Sequence, residues 1–198
     1  MQDAMKKCAV ALLESGQVNR VLGWVAGEFC YDVTPAVFTS KDEIENNLIY
    51  TPFCGANLSK YLVKETLKEG KVLVFLKPCD TYSFNQLLSE HRVNREKVYV
   101  VGVPCDGMAD VERLRAAGIT GIKSVAFDGD HVTVDTIYGT REANKADVLA
   151  GRCADCKSHK HVAYDELLGE DGEVLDNHRF DMVAKLESMS ADERFAFW

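Results

Sequence analysis

Four cysteines carry the chemistry this sequence can do. Two of them close copies of one pattern, Lys71–Asp80 and Lys97–Asp106, each an apolar, β-branched run that stops at Pro-Cys-Asp. The other two, Cys153 and Cys156, form a Cys-x-x-Cys within Arg152–Cys156. Thiolates are soft ligands that select iron–sulfur clusters, zinc or copper(I). A cubane 4Fe-4S cluster needs four sulfur ligands around a centre a few Å across. The short offset between Cys153 and Cys156 turns the chain back on itself, which suits adjacent corners. Cys79 and Cys105 supply the other corners if the two repeated runs lie side by side.

The elements that must position them can be read from the same residues. Each apolar run reads as a buried strand, ended by its Pro. Asp80 and Asp106 read as caps of following helices, not as catalytic acids. Two such strands joined by a helix, here expected around residues 82–91, should run parallel. That arrangement brings Cys79 and Cys105 to one edge of one sheet. Backbone N–H groups at the two helix starts would then stabilise thiolate charge. Basic residues crowd the Cys-x-x-Cys, namely Arg152, Lys157, His159, Lys160 and His161. They would offset the negative charge of a thiolate-ligated cluster and raise its reduction potential.

Other readings of the cysteines stay open. The same four thiolates could hold zinc as a structural or interaction module. Cys79 and Cys105 could be buried, leaving Cys153 and Cys156 as a lone dithiol. Zinc through Cys153, Cys156, His159 and His161 has its histidines too close for finger spacing. A thioredoxin-type dithiol would open a helix at a strand end; here a helical stretch and Gly151 precede it. Cys54 reads as a partly buried loop residue; its place at a turn before a helix, which lowers a thiol pKa, also leaves open a redox thiol or a fifth metal-site residue. Cys8 and Cys30 lack a motif and read as small buried residues. His91 and His131 read as surface residues. There is no phosphate-cradling Gly-rich loop and no Ser/His/Asp ordering.

The chain has 198 residues, 46% hydrophobic and 27% charged, the composition of an ordinary globular protein. Its formal net charge of −8 argues against a nucleic-acid partner. No stretch is long and apolar enough to span a bilayer, and the N-terminus has too short an apolar core for a signal peptide. Seven cysteines in such a chain point to metal or redox use rather than a disulfide framework, and to the cytoplasm.

Helical and strand patterns alternate through the first half. Helices are expected at about 2–15, with Met5, Cys8, Leu12 and Leu13 on one face, and at 57–69, with Leu58, Tyr61, Leu62 and Leu67 inward. Ser40 and Glu43 form a capping box for a short helix. Extended stretches are expected at 18–25 and 30–38, the latter broken by Pro35, and a helix at 108–117. From Ile122 the pattern becomes a hairpin turning at Asp128–Asp130, then a short helix at 142–149. Residues 162–178 read as acidic loop and a short helix. The end, 180–198, is helical, with a second capping box at Ser190 and Glu193. It carries Phe195, Phe197 and Trp198 to the last residue, which reads as a chain that continues. The expected fold is α/β: a largely parallel sheet flanked by helices, a small hairpin and a C-terminal helical tail. Residues 1–178 form an iron–sulfur domain in this reading, and 179–198 a tail leading to a further module or a partner.

Several stretches carry a resemblance. They are Ala11–Leu22, Tyr50–Lys60, Lys77–Asp80, Val103–Gly107 and Cys153–Cys156. In order and spacing they resemble the beta-subunit family of deazaflavin-dependent hydrogenases and formate dehydrogenases. The resemblance implies one 4Fe-4S cluster on Cys79, Cys105, Cys153 and Cys156, exchanging electrons with a flavin. It implies partner subunits of a hydrogenase, formate dehydrogenase or heterodisulfide-reductase-like complex, and a two-cluster ferredoxin module after an ending like Ala191–Trp198. The chain departs from the flavin-binding members: Lys6–Ala11 holds no Gly-Gly pair, and only Asp106–Met108 follows the second cysteine motif. The resemblance thus speaks for an electron-transfer subunit more than for a free-standing flavin enzyme that uses the cluster as a relay.

Overall fold

The chain opens with an amphipathic helix, α1 (Gln2–Glu14), that buries Met5 and Ala9 and half-buries Cys8, Leu12 and Leu13. This computed structural model describes residues 1–174 and 180–198. Strand β1 (Arg20–Ala26) pairs antiparallel with β2 (Val33–Phe38), which forms the outer edge of the main sheet. An edge strand tolerates Pro35, whose N–H is missing. Ser40 and Glu43 make the expected capping box on α2 (Lys41–Asn47).

The helix expected at 57–69 is broken into a 3-10 turn, Ser59–Tyr61, and α3 (Leu62–Glu65). Leu58 and Leu62 are buried as expected, but Leu67 lies beyond the helix end and is 81% exposed. The repeated runs become β3 (Val72–Leu76) and, after α4 (Pro78–Ser89), β4 (Val98–Gly102). They are parallel neighbours, from Val72 beside Val98 to Leu76 beside Gly102. Every residue of β3 is buried, as in a strand covered on both faces.

Both Asp caps are corrected. α4 starts earlier than expected because Pro78 occupies its first helical position, where a missing N–H is harmless. Lys77 is therefore the cap residue and Asp80 lies inside the first turn. No helix follows Cys105 directly. α5 (Val111–Ala116) starts later than expected and is capped by Asp110, which accepts from the N–H groups of Glu112 and Arg113. A thiol at a helix start is therefore found at Cys79 and not at Cys105.

β5 (Ile122–Asp128) and β6 (His131–Thr136) form the expected hairpin. A third strand, β7 (Gly139–Asn144), was not expected; it leaves only α6 (Lys145–Val148) of the helix read at 142–149. Full pairing with β6, from Thr136 beside Gly139 to His131 beside Asn144, overrides local helix preference. These strands make a separate three-stranded sheet with its own small core of Leu114, Val132, Val134 and Val148. Next come α7 (Gly151–Ala154) and β8 (Glu166–Leu167), which pairs parallel with β4. The main sheet has the order β2-β1-β3-β4-β8. Trp24, Phe75 and Phe84 are the largest buried side chains of its core.

Beyond Phe180 stand α8 (Asp181–Ser188) and α9 (Ala191–Phe197), the latter with the expected Ser190–Glu193 capping box. Neither buries a residue, and Phe195 and Trp198 are 87% and 89% exposed. The expected domain boundary at 178/179 lies outside the described residues; of the stretch read as acidic loop and a short helix, 162–178, the described part to 174 holds β8 and no helix.

Candidate metal centre

The two Pro-Cys steps leave the sheet at one edge because strand pairing persists to the strand ends. Val103 N–H donates to Leu76 O at 2.9 Å, one step past the last ladder pair. Cys79 then sits in the first turn of α4, where the helix dipole is positive. Cys105 sits in the loop after β4. Tyr50 O–H donates to Pro104 O at 2.8 Å and holds the peptide before it.

A short zipper brings the Cys-x-x-Cys to this edge. Asp110 N–H donates to Val148 O at 2.9 Å, and Ala150 N–H to Met108 O at 2.8 Å, around a bridge of Ala109 with Leu149. α7 follows at once and carries Cys153. Gly107 permits the approach: its φ of +101° belongs to the left-handed region, and a Cβ there would collide with Leu149 Cδ1 and lie 3.6 Å from Cys153 Cβ. Cys156 N–H donates to Cys153 O at 3.2 Å, the reversal that the offset predicted. Arg152 Nη2 ties this turn to Gly55 O at 3.3 Å.

Cys79, Cys105, Cys153 and Cys156 all line one cavity of about 830 Å³. Lys77, Asp80, Asn57, Lys60 and Arg152 supply polar wall, and Asp130 and Lys145 face it from the side of the small sheet. Of the basic residues around the Cys-x-x-Cys, Arg152 and His159 reach the cavity. His161 does not: its ring is buried, with Nε2 3.0 Å from Leu76 O and Nδ1 against Asp171 Oδ1. Both nitrogens being engaged, His161 is removed from the zinc reading that used it.

Cys54 is corrected. It is buried, its sulfur accepts from Thr51 N–H at 3.2 Å, and burial pushes its thiol pKa up rather than down. Cys8 and Cys30 are half-buried and away from the cavity, near Glu166 and Ile122 O. His91 and His131 are exposed.

The cavity walls desolvate the thiols. Cys79 is open to the cavity yet enclosed by its walls, and this desolvation, followed by the neighbouring Asp80 carboxylate, pushes its pKa up to about 12. Lys77 acts the other way, while Cys105 and Cys156 add to the rise. Desolvation also pushes Cys105 up to about 11, against a Gly107 backbone hydrogen bond and the Lys77 charge, with Cys153 adding to the rise. The four sulfurs thus sense one another around the cavity. Burial thus favours the neutral thiol at Cys79 and Cys105, and a metal bound there would have to displace a proton from each.

Lys77 and Asp80 are a pair that the sequence reading missed. Their charges stand 2.7 Å apart, with side chains only 3% and 5% exposed. Asp80 Oδ2 is met by charge alone, without a directed hydrogen bond among the described residues. Lys77 also donates to Ala56 O at 3.2 Å and lies 4.6 Å over the Trp24 ring. The signal was present: two opposite charges three apart, flanking Pro-Cys at the end of an apolar run.

Mononuclear zinc needs four sulfurs about 2.3 Å from one point. Among the described residues, no three His, Cys, Asp or Glu side chains are grouped to hold a single metal ion. The four thiols share one cavity wall, and thiolates are the ligand type that both iron–sulfur clusters and zinc take.

No family model matches the chain. Over 96 residues, 48% of this chain, it is 30% identical to the F420-dependent formate dehydrogenase 1 subunit beta of Methanococcus maripaludis. It is also 30% identical over 96 residues to the F420-dependent formate dehydrogenase subunit beta of Methanocaldococcus jannaschii. The matched stretch spans 24% and 25% of those proteins, about a quarter of each. In fold, the chain matches a chain of the F420-reducing NiFe hydrogenase complex from Methanosarcina barkeri, with a TM-score of 0.64 at 16% identity. That match covers 93% of this chain and 72% of the other. The architecture is thus shared with a redox-complex subunit. Over the matched 96-residue stretch the chain is similar to beta subunits of F420-dependent formate dehydrogenases, in agreement with the resemblance its short motifs carry.

Proposed function

We propose that this chain is an electron-transfer module, a subunit or domain of a larger oxidoreductase, that holds one 4Fe-4S cluster through Cys79, Cys105, Cys153 and Cys156. One observation carries the reading: four thiols from three separated parts of the chain line one cavity. The cluster supplies one-electron storage. The chain's own residues do the rest. The β3 and β4 ends and the 108–110/148–150 zipper fix where the sulfurs stand. Lys77 and Arg152 place positive charge beside a site that becomes anionic when the thiols lose their protons. Backbone N–H groups at the start of α4 act in the same sense at Cys79.

Bond chemistry belongs to a partner in this account. The curated relatives are beta subunits of formate dehydrogenases, so partner redox subunits are the expected donors and acceptors. No helix among the described residues is long and apolar enough to cross a membrane. A second reading, a flavin held beside the cluster, is favoured by the cavity's size: about 830 Å³ falls among small-molecule sites and exceeds what a cubane fills.

A visible spectrum tests the proposal. Protein purified without oxygen should be brown and bleach on reduction, and flavin in the supernatant after denaturation would favour the second reading. A colourless protein carrying zinc contradicts both.

A further inference from the structure

His161 stands at the junction of the segments that carry the sulfurs. Its Nε2 faces Leu76 O, the last carbonyl of β3 before Lys77-Pro78-Cys79, at 3.0 Å. A carbonyl only accepts, so Nε2 must carry a proton. The same carbonyl takes Val103 N–H at 2.9 Å, so His161 uses its second lone pair. On the other side Nδ1 faces Asp171 Oδ1, while Asp171 Oδ2 accepts the His161 backbone N–H at 3.1 Å. A neutral ring protonated at Nε2 would turn a lone pair toward a carboxylate. The arrangement is satisfied when the ring holds protons on both nitrogens and Asp171 balances the charge.

The fold makes room for this ring. A Cβ at Gly102 would stand 3.0 Å from His161 Cδ2 and 3.1 Å from Nε2. Tyr164 packs edge-on, its ring centroid 6.1 Å away. Val162 N–H donates to Thr81 Oγ1 at 3.2 Å, a second tie from the same segment to α4. The segment leading from Cys156 is thereby clipped to both sides of Cys79, at Leu76 and at Thr81.

We propose that His161 is a positioning residue. Held as an imidazolium between Leu76 O and Asp171, it fixes the strand end that presents Cys79 against the segment that presents Cys156. The positioning role rests on the cluster proposed above; the ring's protonation does not. The test uses the full chain in two measurements. Nuclear magnetic resonance of the metal-free protein, labelled at the histidine ring nitrogens, should show both His161 nitrogens protonated. Asp171→Asn should keep the fold but shift Nδ1 to the unprotonated position, because an amide can donate to a neutral ring. After anaerobic reconstitution, His161→Gln should bind iron more weakly than the parent, because the strand end before Cys79 loses its tie to the segment after Cys156. Far-ultraviolet circular dichroism should show it folded; should it not fold, Asp171→Asn replaces it in the iron measurement, with a smaller loss expected. One protonated ring nitrogen in the parent, or iron uptake unchanged in the folded variant, overturns the proposal. A parent that takes up no iron contradicts the cluster instead, and the ring signals then decide the His161 assignment alone.

Discussion

At the scale of single residues, burial of the sulfurs sets the thiols' behaviour first, and neighbouring charge second. The Cys79 and Cys105 thiols are raised in the folded chain from the ordinary 9.0 to about 12 and about 11, desolvation first. Groups raised in this way contribute stability that is complete below the unfolded value and is lost as pH rises through the folded ones. The metal-free protein should therefore lose stability between pH 9.0 and about 12. Urea midpoints at about pH 8 and about pH 11 should show a shallower fall in a Cys79→Ser/Cys105→Ser variant than in the parent. An equal fall in both would contradict the assigned burial. Lys77→Met should cost about 3 kcal/mol, since it leaves Asp80 charged and unpaired in the interior. The added Asp80→Leu change should recover part of that loss in chemical denaturation. In sequence Lys77 reads as part of the strand motif and Asp80 as a helix cap, and neither reading pairs them. The early start of α4, at Pro78 directly after β3, buries both.

At the scale of elements, legibility followed the range of the interaction. The two repeat strands were readable because an uninterrupted β-branched run needs only local pattern, and their parallel pairing followed from the helix between them. Both capping boxes were readable because Ser and Glu stand within one turn of each other. β7 was not readable, since Gly139–Asn144 is a strand only by pairing with β6. His161 was grouped with the basic residues of the Cys-x-x-Cys because Leu76 and Asp171, which define its role, are remote in sequence or chemically anonymous. Gly107 belongs to this scale too. It lets the loop after β4 meet the segment before α7, so Gly107→Ala should strain the backbone by about 1–3 kcal/mol and push Leu149 and Cys153 outward. The expected signs are a lowered melting temperature and reduced iron uptake; Gly118→Ala, also at positive φ but with open space around it, should lower stability and leave iron uptake intact.

At the scale of the whole molecule, the cavity lies where two units meet. The main sheet supplies Cys79 and Cys105, and the small sheet with its helices supplies the approach of Cys153 and Cys156 and the charges of Asp130 and Lys145. That is why the cysteine motifs are so far apart in sequence, and why Lys60, Lys77, Lys145 and Arg152 meet Asp80, Asp106 and Asp130 around one cavity. The central claim is that four distant sulfurs share one inorganic core. Iron, acid-labile sulfide and zinc, quantified together on oxygen-protected protein and on Cys79→Ser, test it most directly. The account predicts about four irons and about four sulfides per chain, with little zinc, and loss of most iron and sulfide in the variant. About one zinc per chain without sulfide, or iron and sulfide unchanged in Cys79→Ser, would contradict it.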